Sequence, residues 1–91
     1  MSFSTINNYY EPLVFRHILD SIPDPLDENF LEDVACVALN HLPAKYVRHE
    51  VDMAFYMSSD ERNKIKADVT FAVQNAIEYV SQHRDNHHNQ A

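Results

Sequence analysis

Apolar positions fall into three stretches with helical period. Tyr10, Leu13, Val14, His17 and Ile18 recur at three- and four-residue spacing as one stripe, and Phe15, Leu19 and Ile22 form a second. This predicts a first helix from about Tyr9 or Tyr10 to Ile22. Asn7 or Asn8 can cap it, Pro12 fits only its first turn, and Pro23 and Pro25 stop it. A helix that is apolar on two faces needs two surfaces to cover it, and the second face is expected to contribute to a dimer interface.

Leu31, Val34, Ala35, Ala38, Leu39 and Leu42 keep the helical period and predict a second, core helix over about Asp27 to Leu42. Its small residues Ala35, Cys36 and Ala38 allow a neighbour to approach closely, and Glu28, Glu32 and Asp33 lie near the positive end of the helix dipole. From Pro43 to Met57 the pattern is mixed. Lys45, Arg48 and His49 fit a turn of helix, whereas Val51, Met53, Phe55 and Met57 alternate like a strand, so a short helical turn followed by an extended or irregular stretch is expected. The last helix opens on a capping box, Ser58 with Glu61, and runs through Ile65, Val69, Ala72, Val73, Ala76, Ile77 and Val80 to about His83. The expected fold is all-α: a small bundle of three main helices plus a short turn or extended segment. Residues 1–8 form a polar N-terminal segment, 9–83 the helical domain, and 84–91 a disordered His/Asn-rich tail.

Composition narrows the partners. The chain of 91 residues contains no glycine, which removes phosphate-cradling glycine loops and the usual hairpin turns. Fourteen acidic against seven basic residues give a net charge of -7, which repels phosphate backbones and argues against general nucleic-acid binding. Met1 to Asn8 lacks a basic-then-apolar leader and no apolar run reaches the length of a membrane span, so a cytoplasmic protein is expected, with no membrane partner. The single cysteine, Cys36, lies among Val34, Ala35, Val37 and Ala38 and is expected to be a small buried hydrophobe.

The stretch Ala38-Leu39-Asn40-His41-Leu42-Pro43-Ala44-Lys45-Tyr46-Val47 resembles the signature of the ComFB, or late-competence-development, family, whose hallmark is a helix ending in Ala-Leu-Asn-x-Leu-Pro-x-x-Tyr-Val. Asn7, Glu11 and Val14 are similar to the family's opening segment, and Val73, Ala76 and Val80 to its closing helix; the resemblance covers about Ile6 to Val80. It implies a small helical homodimer, not an enzyme, linked to binding of cyclic dinucleotides such as cyclic di-GMP and to control of competence, motility or pili. Some members carry a cysteine cluster ahead of the signature helix that holds a structural zinc. Ser21 to Asp33 has no cysteine, so neither zinc nor another cofactor is expected.

Lys45, Arg48 and His49 are the densest cationic set outside the tails and flank the Tyr46 ring. With Asn40 they are the candidate ligand contacts: Arg48 for a phosphate or guanine edge, Tyr46 for stacking, and two copies in a dimer to match the ligand's two-fold symmetry. The bland alternative is a solvated turn with Arg48 paired to Glu50 or Asp52, while Asn40 braces the turn and Tyr46 packs its ring. Arg62, Lys64 and Lys66 are a weaker basic set that offsets neighbouring acids. His83, His87 and His88 have metal-ligand spacing only if the last helix continues that far. A different function class is a protein-interaction adaptor for a regulatory partner, docking through an exposed Met53, Phe55, Tyr56 and Met57 stripe. No nucleophile motif or clustered set of metal ligands points to catalysis.

Overall fold

A computed structural model describes residues 5–22, 27–48 and 57–89, with side chains to residue 83. Among these, the elements in chain order are β1 (Asn7–Asn8), α1 (Tyr10–Ser21), α2 (Glu28–Asn40), β2 (Tyr46–Val47) and α3 (Ser59–Asn89). The described residues form an all-α bundle of three helices with a two-stranded antiparallel sheet clipped to it. No helix is long and apolar enough to cross a membrane among the described residues.

Local chemistry sets the helix ends. Asn8 Oδ1 accepts the Tyr10 N–H at 3.3 Å, satisfying one of the donors that the first turn of α1 leaves open. At the other end Ile22 is extended (φ -113°, ψ 98°), as the ring of the following Pro23 requires, while its N–H still reaches the Ile18 carbonyl. Asp27 caps α2 through its carboxylate, which accepts the Phe30 N–H at 3.2 Å. Without a glycine to adopt a left-handed cap, α2 tightens at its end: the N–H groups of His41 and Leu42 donate to Ala38 and Leu39. The proline at position 43 then prevents continuation. Ser58 Oγ accepts the Glu61 N–H at 3.1 Å, the first half of the expected capping box.

The core is one seam along α3. Ile65, Val69, Ala72, Val73, Ala76 and Val80 face Tyr10, Val14 and Ile18 of α1 and Val34 and Ala38 of α2. Val14, Val34 and Val73 are completely buried, and the alanines at 38, 72 and 76 let α2 and α3 approach closely. Each fully buried valine contributes about 1.5–3 kcal/mol of transfer free energy, so this seam sets the helix arrangement.

Several expectations need correction. Cys36 is exposed, not buried. Its neighbours in sequence are apolar, but it stands two residues from both Val34 and Ala38, about 200° around the helix from the buried face. Met57, expected at the end of an exposed stripe, is 6% exposed and belongs to the core; Met53, Phe55 and Tyr56 lie outside the described residues. The segment after Pro43 is not helical over 43–48. Tyr46–Val47 pairs with Asn7–Asn8, in the register Asn7 with Val47 and Asn8 with Tyr46, so the end of the polar N-terminal segment belongs to the fold. Backbone helix continues to Asn89, past the expected end near His83.

Candidate ligand-binding groove

The signature segment is held by the N-terminal residues. Asn8 Oδ1 accepts the Lys45 N–H at 3.0 Å as well as that of Tyr10, and the Tyr9 N–H donates to the Lys45 carbonyl at 2.6 Å. One amide oxygen thus caps α1 and clamps the chain entering β2. Strand alternation then decides the next two side chains: Val47 turns inward and is buried, and Tyr46 turns outward with 69% of its surface exposed. The packed Tyr46 ring of the bland alternative is therefore not found. Arg48 is exposed beyond it, and among the described residues it has no ion-pair partner. Lys45 is half-buried.

Asn40, the last residue of α2, does not brace the turn. Its Nδ2 donates back to Cys36 Sγ at 3.7 Å, on the exposed side of the helix. His49 lies outside the described residues. Of the five residues singled out in the sequence, Lys45, Tyr46 and Arg48 lie at the entry to, on and just past one short strand, and Asn40 ends α2.

Beside this strand's approach lies a groove of about 490 Å³, within the ~300–1,000 Å³ usual for small-molecule sites. The end of α2 and the signature turn build one wall, through Val37, His41, Leu42 and Pro43. Ala72 and Ala76 of α3 make an apolar floor, and Phe71 and Tyr79 stand beside it. Both aromatics are more exposed than a core role would leave them, Phe71 at 70% and Tyr79 at 49%. The Tyr79 ring stacks on His83 at 3.8 Å with an interplanar angle of 21°, and His83 Nδ1–H donates to the Tyr79 carbonyl, so this ring is held in place.

Polar groups are few and convergent. His41, which lines the groove, has Nδ1 2.8 Å from the Val37 carbonyl, which can only accept; Nδ1 therefore carries the proton and Nε2 remains as the ring's acceptor. Asn75 adds an exposed amide and Asp68 a carboxylate. Asp68 Oδ2 is paired with Lys64 Nζ at 2.8 Å, and this bond, with the carboxylate's charge, raises the Lys64 pKa. Burial of Tyr10 raises its hydroxyl pKa above the ordinary 10.0; Asp68 adds to the shift and Lys64 opposes it. Among the described residues no three His, Cys, Asp or Glu side chains cluster to hold a metal.

Phe71, Asn75 and Tyr79 were not singled out in the sequence, because the Val/Ala period of the last helix draws attention to its core face. The signal was present: aromatics eight positions apart on the side of a helix whose interior positions are already filled.

No curated protein and no solved structure matches the chain. The profile of the family described as late competence development protein ComFB matches residues 7–84, which include the Asn8 clamp, the signature turn and every residue lining the groove. The chain belongs to the ComFB family.

Proposed function

We propose that this protein is a non-enzymatic regulatory receptor of the cytoplasm that binds a cyclic dinucleotide, with cyclic di-GMP as the leading ligand, and acts as a homodimer in control of competence, motility or pili. The observation that carries this reading is the groove whose wall is the family signature turn and whose floor is flanked by exposed Phe71 and Tyr79. Flat aromatic faces left in solvent beside an apolar floor suit a nucleobase, and each stacked base contributes about 1–3 kcal/mol. The same turn leads directly into Lys45, Tyr46 and Arg48, whose cationic ends and free ring supply what the groove lacks for a phosphodiester ligand. Two copies related by a two-fold axis would match the two-fold symmetry of the ligand.

Calorimetric titration with cyclic di-GMP, with cyclic di-AMP and GTP as controls, tests the reading. Saturable heat at micromolar or lower concentration, selective for cyclic di-GMP, supports it; no heat with any of the three removes it. Light scattering tests the dimer separately, and a monomer at micromolar concentration contradicts it.

A further inference from the structure

A second surface, on the far side of α2 from the ligand groove, has a different chemistry. The outer stripe of α1 leaves Phe15 46% and Leu19 59% exposed. With Ile18, Leu31 and Ala35 they border a shallow cleft of about 180 Å³ between α1 and α2, and the charged residue at its edge is Glu32. Helical spacing brings two more carboxylates to the same side: Glu28 stands one turn before Glu32 on α2, and Glu11 one turn before Phe15 on α1.

Among the described residues no Lys or Arg offsets them there. α2 contains no Lys or Arg, and the single Arg of α1, Arg16, lines the opposite α1–α3 side together with Lys66. An apolar strip whose charged edge, among the described residues, consists of carboxylates is complementary to a helix with an apolar stripe and a basic rim. It matches itself less well, which sets aside the dimer contact expected of this α1 stripe: an isologous contact would bring the carboxylates of two copies together with no Lys or Arg of α2 to pair them. We propose that the α1–α2 face docks a basic amphipathic helix of a partner protein, seating its apolar side chains against Phe15, Leu19 and Leu31 and pairing its Lys or Arg residues with Glu28 and Glu32.

The experiment is a titration of the isotope-labelled full chain, followed by amide NMR, with a synthetic helical peptide of leucine and lysine patterned on one apolar face. A peptide of the same composition with leucines scattered around the helix and a Lys→Glu version serve as controls. The expected result is shifts at Phe15, Leu19, Leu31, Glu32 and Ala35 with the patterned basic peptide alone, weakened about tenfold or more by Leu19→Ser. Glu32→Gln should lower both affinity and its salt dependence, and Phe71→Ala should leave both unchanged. Leu19 and Glu32 are exposed, so these variants keep the fold, which the undisturbed remainder of the spectrum verifies. Absence of shifts, shifts centred on Phe71 and Tyr79, equal binding of the scattered peptide, or indifference to both variants overturns the proposal. So does a dimer that Leu19→Ser dissociates, since a second copy would then occupy the face.

Discussion

Asn8 and Lys45 are joined by a 3.0 Å hydrogen bond from the Lys45 backbone N–H to the Asn8 side-chain oxygen, across a sequence separation of 37. Because the same oxygen accepts the Tyr10 N–H, the start of α1 and the exit of the signature turn are fixed by one atom. The candidate contacts Tyr46 and Arg48 follow directly on this clamp, so their placement depends on a residue far from them in sequence.

Asn8→Ala should therefore destabilise the protein by about 1–2 kcal/mol, through loss of a cap and of a second accepted hydrogen bond. Denaturant unfolding measures this. Hydrogen exchange should also show the Lys45 amide losing protection more than the α3 core amides, whereas Asn8→Asp, which keeps the acceptor, should retain most of both.

The central packing can be probed at Val73, which is completely buried where α3 meets the other two helices. Val73→Ala should cost about 2 kcal/mol from lost transfer free energy and the residual cavity. Val73→Thr should cost more than its volume suggests, because the added hydroxyl enters a seam without a buried polar side chain among the described residues.

Tyr10 makes a prediction about alkaline stability. Its pKa is raised in the folded protein, first by burial and then by Asp68, so the neutral phenol is favoured in the native state. Below pH 10.0, the ordinary value, folded and unfolded chains both hold the proton and this contribution is intact; as pH rises past it the unfolded chain loses the proton first, and stability falls through the folded pKa. Lys64, also raised, loses its contribution in the same alkaline direction. Chemical unfolding at stepped pH should show the decline, reduced in Tyr10→Phe and, for the Lys64 part, in Asp68→Asn.

Much of the helical frame was legible because burial in this chain follows a single period. Val69, Ala72, Val73, Ala76 and Val80 read as one stripe and are one stripe, and Asn8 and Ser58 read as caps and accept the N–H groups of Tyr10 and Glu61. What sequence could not place were the contacts between distant segments. Nothing local in Asn7–Asn8 marks it as the pairing partner of Tyr46–Val47, since a two-residue ladder has no alternation long enough to detect. Cys36 misled because neighbours in sequence are not neighbours on a helix face, and Met57 because an apparent alternation ended at a residue that the start of α3 turns into the core. Of the site, the cationic strand was visible as composition, while the groove required knowing that the signature turn lies against Ala72 and Ala76.

Phe71→Ala separates the ligand reading from stability. The side chain is 70% exposed, so truncation should change unfolding free energy by no more than about 0.5 kcal/mol. Affinity for cyclic di-GMP should fall by about 1–3 kcal/mol if a base stacks on this ring. Arg48→Glu should weaken binding without altering the helical spectrum, by removing a cationic contact and adding a repulsive charge.

The most direct measurement is amide hydrogen exchange of the full chain with and without saturating cyclic di-GMP. The account predicts added protection at Val37 to Leu42, at Lys45 to Arg48 and along Asp68 to Tyr79, with Phe15 to Leu19 unchanged. Unaltered exchange at the signature turn and along Phe71 to Tyr79 would contradict it.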